Sequence, residues 1–150
     1  MYACDDHWLD LYVNEIKRDF SGQIWTQSVL SARKYKLNLC EGQSMPGLGR
    51  EKLHFGNNSG YQAINLAYLL GATKIVLSGF DMSIIGDKVH FFGSHPYHHK
   101  GQGPNNEIMK RWCANFERLA MDLEYEGVEV INASRHSALT AFKRMDLELC

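Results

Sequence analysis

The chain lacks the features that define several large classes of protein. No stretch of its 150 residues is long and apolar enough to span a bilayer, and residues 1–6 lack the basic and hydrophobic regions of a signal peptide. The formal net charge is -1, so the chain as a whole has no attraction for nucleic acid or for an anionic membrane. These absences predict a cytoplasmic protein with no membrane partner, and they make nucleic acid an unfavoured partner.

Cysteine pairs and the common catalytic signatures are also missing. The four cysteines stand apart with no Cys-x-x-Cys pair, which excludes zinc-ribbon and thioredoxin-type patterns and fits a reducing compartment. The sequence contains no Walker lysine loop, no Gly-x-Gly-x-x-Gly turn and no nucleophile elbow. It therefore gives no support to the familiar NTPase, dehydrogenase and hydrolase assignments.

The composition that remains is that of one compact domain. With 45% hydrophobic residues, a chain of this length buries about two thirds of its unfolded surface and needs no linker or second domain. Strand-like and helix-like segments alternate, which predicts a three-layer, Rossmann-like α/β domain over residues 1–150 with a mainly parallel sheet. The strand, Gly-rich turn and helix that usually open such a domain have no counterpart before Tyr2.

The clearest element is a helix at residues 107–126, where apolar residues recur at spacings of three and four and Gly127 ends the pattern. A second helix is predicted from an N-cap at Asn58 or Ser59 to Gly71, followed by a strand at residues 75–77 covered on both faces. The remaining predictions are strands at 2–4, 24–26, 35–40 and 128–131, irregular loops at 41–57 and 82–106, and a short helix within 137–142.

One candidate binding site is the turn formed by Asn57, Asn58, Ser59 and Gly60, with Tyr61 after it. A helix start offers free N–H groups and positive dipole potential to a phosphate or ribose, and Gly60 lets a ligand approach the backbone. A plain helix cap explains the same residues, and the residues alone favour that interpretation. Tyr61 either stacks on a nucleobase or fills the core.

The other candidate site lies where two predicted strands end. Gly79 and Asp81 follow one strand, and Asn132 and Ser134 follow the next, at the edge where open α/β sheets bind ligands. Asp81 either binds ribose hydroxyls, a base or a divalent metal, or caps a turn or pairs with a basic residue. Asn132 and Ser134 either face the same crevice or satisfy loop backbone.

The loop after Asp81 contains four of the seven histidines, His90, His95, His98 and His99. A histidine there can act as general acid or base, contact phosphate or bind metal, and His95 is the candidate catalytic partner of Asp81. The run His-Pro-Tyr-His-His does not match the spacing of a recognised metal motif. A polar loop that covers a ligand is therefore favoured, and no metal ligand is assigned.

These residues resemble a known family. The run Asn58-Ser59-Gly60 to Leu70-Gly71, followed by Lys-Ile-Val-Leu-Ser-Gly-Phe-Asp-Met at 74–82, resembles the core of the archaeal 6-hydroxymethylpterin diphosphokinase-like family. Bacterial sialyltransferases carry a similar pattern of Ser-Gly, helix, Leu-Gly, strand and Gly-x-Asp. Small bacteriophage-encoded members resemble most of the chain, through residues 2–5, 92–96, 128–132 and 137–140.

The resemblance implies a Rossmann-like domain that handles a nucleotide or a nucleotide-linked substrate near Ser59, Gly60 and Asp81. One implied function is that a phage-type protein in the host cytoplasm binds or sequesters a nucleotide-derived small molecule, so as to block a defence messenger. The alternative is a nucleotide-dependent transferase, diphosphokinase-like or glycosyltransferase-like, in which Asn58, Ser59, Asp81 and His95 position the substrate. An enzyme of that kind would accommodate a divalent cation as cofactor.

Two features of the chain favour different functions. The missing Gly-rich turn favours binding, because a transferase would need it to complete a donor site. The dense histidine loop favours catalysis. A homo-oligomer would reconcile the two, since a second subunit can complete an open crevice.

Overall fold

The computed structural model describes residues 1–84 and 103–150, and within these ranges the chain is a mixed α/β structure with parallel strands. This confirms the predicted α/β class; the three-layer, Rossmann-like arrangement stays a prediction. In chain order the elements are α1 (Asp6–Asp19), β1 (Trp25–Thr26), α2 (Val29–Tyr35), β2 (Asn38–Leu39), β3 (Gly42–Gln43), β4 (Leu53–His54), α3 (Ser59–Leu69), β5 (Lys74–Leu77), α4 (Asn106–Tyr125), β6 (Glu129–Asn132), β7 (Lys143–Arg144) and a 3-10 helix (Leu147–Leu149).

The largest sheet of the described residues joins β5, β6 and β7 in that order, and both pairings are parallel. Ile75 pairs with Val130 and Leu77 pairs with Asn132, so β5 and β6 end side by side. Parallel neighbours need a long crossover connection, and α4 lies in the connection between these two strands. Their carboxyl ends therefore share one edge of the sheet.

The N-terminal strands form two smaller parallel pairs, β1 with β2 and β3 with β4. The strand predicted at residues 2–4 is reduced to a single parallel bridge between Tyr2 and Trp25. It stops there because Asp5 already caps α1, accepting a hydrogen bond from the Trp8 N–H at 3.1 Å.

The helices predicted at residues 58–71 and 107–126 are confirmed as α3 and α4, and so are the predicted cap at Asn58 and the glycines that follow each helix. The Asn58 side chain accepts from the Tyr61 N–H at 3.1 Å at the start of α3, and Gly71 beyond its end has a left-handed φ of +89°. Asn105 caps α4 in the same way, and Gly127 follows that helix with a φ of +73°. None of the helices in the described ranges is long and apolar enough to cross a membrane.

Helix α3 belongs to two apolar clusters and so joins the two halves of the described structure. Tyr61 and Ile64 are buried with Leu77 and with the inner face of α4. Leu66 is buried with Cys40 and with β4 on the N-terminal side. Each fully buried aliphatic side chain stabilises the fold by about 1.5–3 kcal/mol, so α3 couples the folding of both halves.

Several local predictions were wrong. Residues 137–142 form an irregular turn where a helix was expected, because the Ser137 hydroxyl accepts the Leu139 N–H at 3.1 Å and competes with helical hydrogen bonds. The strand expected at 35–40 is shortened to β2, since α2 occupies the chain up to Tyr35. The loop at 41–57 contains the β3–β4 pair. Val76 is 39% exposed, so β5 is not covered on both faces.

Candidate functional site

A cleft of about 1080 Å³ lies at the carboxyl ends of β5 and β6. Its near wall is built from the loops that leave these two strands, and its far wall is the C-terminal segment, residues 145–149. Parallel α/β sheets bind ligands at this edge. Of the residues predicted from sequence to form a site, Gly79, Asp81 and Ser134 line this cleft together.

Hydrogen bonds tie the two loops of the near wall to each other. The Phe80 N–H donates to Ser134 Oγ at 2.8 Å, and the Ser137 hydroxyl donates to the Phe80 carbonyl at 2.5 Å. The Ala138 N–H donates to the Asp81 carbonyl at 2.8 Å. These bonds satisfy backbone groups that leave the sheet, so they fix the arrangement of the near wall.

The side chains of Asn132 and Ser134 support this wall from within. Asn132 is fully buried; its amide donates to Ser137 Oγ at 2.9 Å and to the Leu139 carbonyl at 3.2 Å, and its oxygen accepts the Ser134 N–H at 3.1 Å. Ser134 is 3% exposed, and its hydroxyl accepts from Phe80. Both side chains orient loop backbone, and a direct contact with a ligand stays a prediction for each of them.

Gly79 and Asp81 both line the cleft. Gly79 has a φ of +76°, and no atom of the described residues lies within 4 Å of the position that a Cβ would occupy. Asp81 is half-buried, and its carboxylate makes no hydrogen bond or ion pair with another described residue. A carboxylate in an open cleft can accept hydrogen bonds from hydroxyl groups or bind a cation.

The start of α3 lies apart from the cleft, and none of residues 57–61 lines it. The Asn58 oxygen is engaged in capping the helix, while Asn57 and Ser59 are exposed. A Cβ on Gly60 would lie 2.6 Å from Cε1 of Phe80. The backbone approach that the sequence suggested for a ligand is therefore occupied by a phenylalanine ring.

Tyr61 is part of the core in this structure. Its side chain is fully buried against Phe116, with ring centroids 5.3 Å apart, and its hydroxyl donates to the Gly47 carbonyl at 2.6 Å. Burial, reinforced by the nearby negative charge of Asp122, raises the pKa of Tyr61 to about 12. The ring has no free face on which a base could stack.

His95 and the rest of the histidine loop, residues 85–102, lie outside the described residues, so the structure does not place the candidate catalytic histidine. Among the residues that it does describe, no group of three or more His, Cys, Asp or Glu side chains is arranged to hold a metal ion. The catalytic assignment of Asp81 with His95 stays a prediction.

Sequence reasoning missed three basic residues of the cleft, Arg135, His136 and Arg144. Arg135 and His136 directly follow Ser134. The rule that ligands bind beyond the carboxyl ends of parallel strands selected Ser134, and it would have selected these two residues if it had been extended one and two positions further. Arg144 carried no comparable signal, because its place depends on the pairing of β7 with β6. Arg135 and Arg144 bring positive charge to a cleft whose lining also includes the carboxylates of Asp81, Asp146 and Glu148.

Comparisons with protein-family models, with curated proteins and with solved structures found no match for this chain.

Proposed function

We propose that this protein binds a nucleotide-derived small molecule in the cleft at the carboxyl ends of β5 and β6, and that it captures the ligand without converting it. The observation that carries the proposal is the cleft itself, because it lies where neighbouring parallel strands end and contains Gly79 and Asp81. Its volume of about 1080 Å³ accommodates a molecule of nucleotide size.

The chemistry of the cleft suits the parts of a nucleotide. Arg135 and His136 offer donors and positive charge to a phosphate. The Asp81 carboxylate offers acceptors to ribose hydroxyls. Met145, Leu147 and Leu149 add apolar surface on the far wall for a base, alongside the acidic side chains of Asp146 and Glu148.

A phage-type capture protein would withdraw a nucleotide messenger from a host defence pathway, and this role rests on the family resemblance alone. The alternative proposal is a nucleotide-dependent transferase. One observation favours it, since the predicted catalytic carboxylate of Asp81 lines the same cleft as the basic residues. Both functions require binding at the same place, and they differ in the fate of the ligand.

The test is native mass spectrometry and calorimetry of the purified protein with a panel of nucleotides, nucleotide sugars and cyclic dinucleotides, followed by analysis of the ligand mass. We expect one ligand to be retained and recovered unchanged. A changed ligand mass would establish the transferase. No binding by any member of the panel would reject both functions.

Single substitutions test which residues contact the ligand. Asp81→Ala is expected to weaken affinity by about tenfold or more, because hydrogen bonds to a charged group contribute about 1.5–3 kcal/mol. Glu15→Ala removes the same charge from the exposed surface of α1 and is the matched control. Ser59→Ala is expected to have no effect, because Ser59 lies outside the cleft. Weaker binding with Ser59→Ala and not with Asp81→Ala would move the site to the start of α3.

A further inference from the structure

The loop from Ser134 to Ser137 turns its carbonyl groups towards a single cation. The Arg144 guanidinium donates to the carbonyl oxygens of Ser134 at 2.5 Å, Arg135 at 3.0 Å and Ser137 at 3.4 Å. A guanidinium presents its N–H groups in a rigid planar fork, so it holds these carbonyls in one arrangement. Arg144 thereby fixes the backbone of the loop that forms part of the near wall.

The opposite side of this loop presents hydrogen-bond donors. The described chain contains no cis peptide bond, and in a trans peptide the N–H points away from the C=O. Because the carbonyls of Ser134 and Arg135 point at Arg144, the N–H groups of Arg135 and His136 point away from it. Neither N–H has a hydrogen-bond partner among the described residues. Successive N–H groups that point to the same side of a bend can donate together to an anion, as they do in an anion-binding nest.

The side chains of the same two residues add further donors. Arg135 and His136 are both exposed, and both line the cleft. Neither side chain makes a hydrogen bond or ion pair within the part of the chain that the structure describes. The guanidinium stays charged at physiological pH, and the imidazole keeps at least one N–H whether neutral or charged. Two consecutive residues thus carry two backbone and two side-chain donor groups.

We propose that Arg135 and His136 form the phosphate subsite of the cleft, and that the ligand bound there carries a terminal phosphomonoester. The inference rests on the proposed function, because it names the part of a nucleotide-derived ligand that is recognised. A terminal phosphate carries a charge of about −1.5 to −2 at pH 7 and has three acceptor oxygens. A cyclic phosphodiester has fewer free oxygens and a smaller charge, so it engages fewer of the four donor groups.

Arg144 is a positioning residue in this subsite. Its guanidinium is occupied by loop carbonyls, so its contribution to the subsite is to turn the Arg135 and His136 N–H groups outward. The arrangement also places the positive charge of Arg144 behind these N–H groups, which favours an anion in front of them and offsets part of the negative charge of Asp81, Asp146 and Glu148 in the same cleft.

The experiment compares matched ligands by calorimetry at fixed salt and pH 7. The panel contains the four ribonucleosides, their 5′-monophosphates, their 3′,5′-cyclic monophosphates, and inorganic diphosphate. We expect a 5′-monophosphate to bind at least about tenfold more tightly than its nucleoside, with the cyclic form close to the nucleoside. Arg135→Ala is expected to remove most of that ratio and to leave nucleoside affinity unchanged.

Arg111→Ala is the matched control, because it removes an exposed arginine from α4 outside the cleft. Arg135→Gln tests the same point if the alanine variant loses thermal stability. Equal affinity for nucleoside and 5′-monophosphate, or a ratio that survives both Arg135 variants, would overturn the phosphate subsite and leave the proposed nucleotide cleft standing. Diphosphate binding that depends on Arg135, without binding of any nucleoside or nucleotide, would support the subsite and reject the nucleotide function. No binding of any probe at millimolar concentration would reject both.

Discussion

Two glycines of this protein, Gly60 and Gly79, looked equivalent in the sequence and have opposite surroundings in the structure. Each lies at the end of a regular element beside polar residues. A Cβ on Gly60 would lie 2.6 Å from Phe80, whereas a Cβ on Gly79 would meet no atom of the described residues within 4 Å. The first glycine makes room for a side chain of the same protein, and the second borders the cleft.

The difference shows what decides whether a glycine-containing turn is available to a ligand. Around Gly60, the polar and apolar groups are already engaged: Asn58 caps α3, Tyr61 is buried, and Phe80 covers the backbone. Around Gly79, the Asp81 side chain has no partner among the described residues. The cap at Asn58 is a local contact, but the burial of Tyr61 and the contact between Gly60 and Phe80 follow from long-range packing, which no local motif records.

The largest expected effect on the packed region comes from Tyr61→Ala. The substitution removes a fully buried ring and its hydrogen bond to the Gly47 carbonyl, so we expect a loss of about 3–5 kcal/mol in the free energy of unfolding. Urea unfolding measures it. Tyr125→Ala, at a tyrosine that is 85% exposed, is the control and should change stability by less than about 0.5 kcal/mol. Similar values for the two variants would show that Tyr61 is not packed as described.

A smaller effect tests the contact between Gly60 and Phe80 directly. Gly60→Ala should destabilise the protein by about 1–3 kcal/mol, because the new methyl group overlaps the ring of Phe80. In a Phe80→Ala background the overlap is gone, and the same substitution should be neutral or stabilising because alanine favours the helix. A double-mutant cycle by urea unfolding measures the coupling. Additive effects would mean that the two residues do not touch.

The sequence predicted the parts of the fold that depend on local signals. Helix α3 has its cap at Asn58 and its terminating glycine within the segment itself, and α4 carries a long apolar stripe that includes Phe116. Helix α2 escaped prediction because it is only seven residues long and its first residues, Val29 and Leu30, are apolar but exposed. A helix this short contains too few repeats for hydrophobic periodicity to predict it.

The candidate site, like the fold, was predictable only in part. The rule that ligands bind where parallel strands end selected Gly79, Asp81 and Ser134, and all three line one cleft. The rule does not say which side chains turn inward to hold the loop, as Asn132 does. Nor does it find Arg144, whose contacts require β7 to pair with β6. These contacts join residues 7 to 10 positions apart across an irregular turn, and no helical or strand periodicity predicts them.

The smallest expected effect distinguishes backbone strain at Gly79 from a contact between Gly79 and a ligand. Gly79 and Gly71 both have a positive φ, +76° and +89°, and at neither does a described residue come within 4 Å of the Cβ position. Alanine at either position should therefore cost about 1–2 kcal/mol of unfolding free energy, because the left-handed conformation is unfavourable for a residue with a Cβ. Only Gly79→Ala places a methyl group at the cleft, so it alone should weaken ligand binding, by a few-fold. Equal affinity of the two variants for a bound nucleotide would show that Gly79 does not border the ligand.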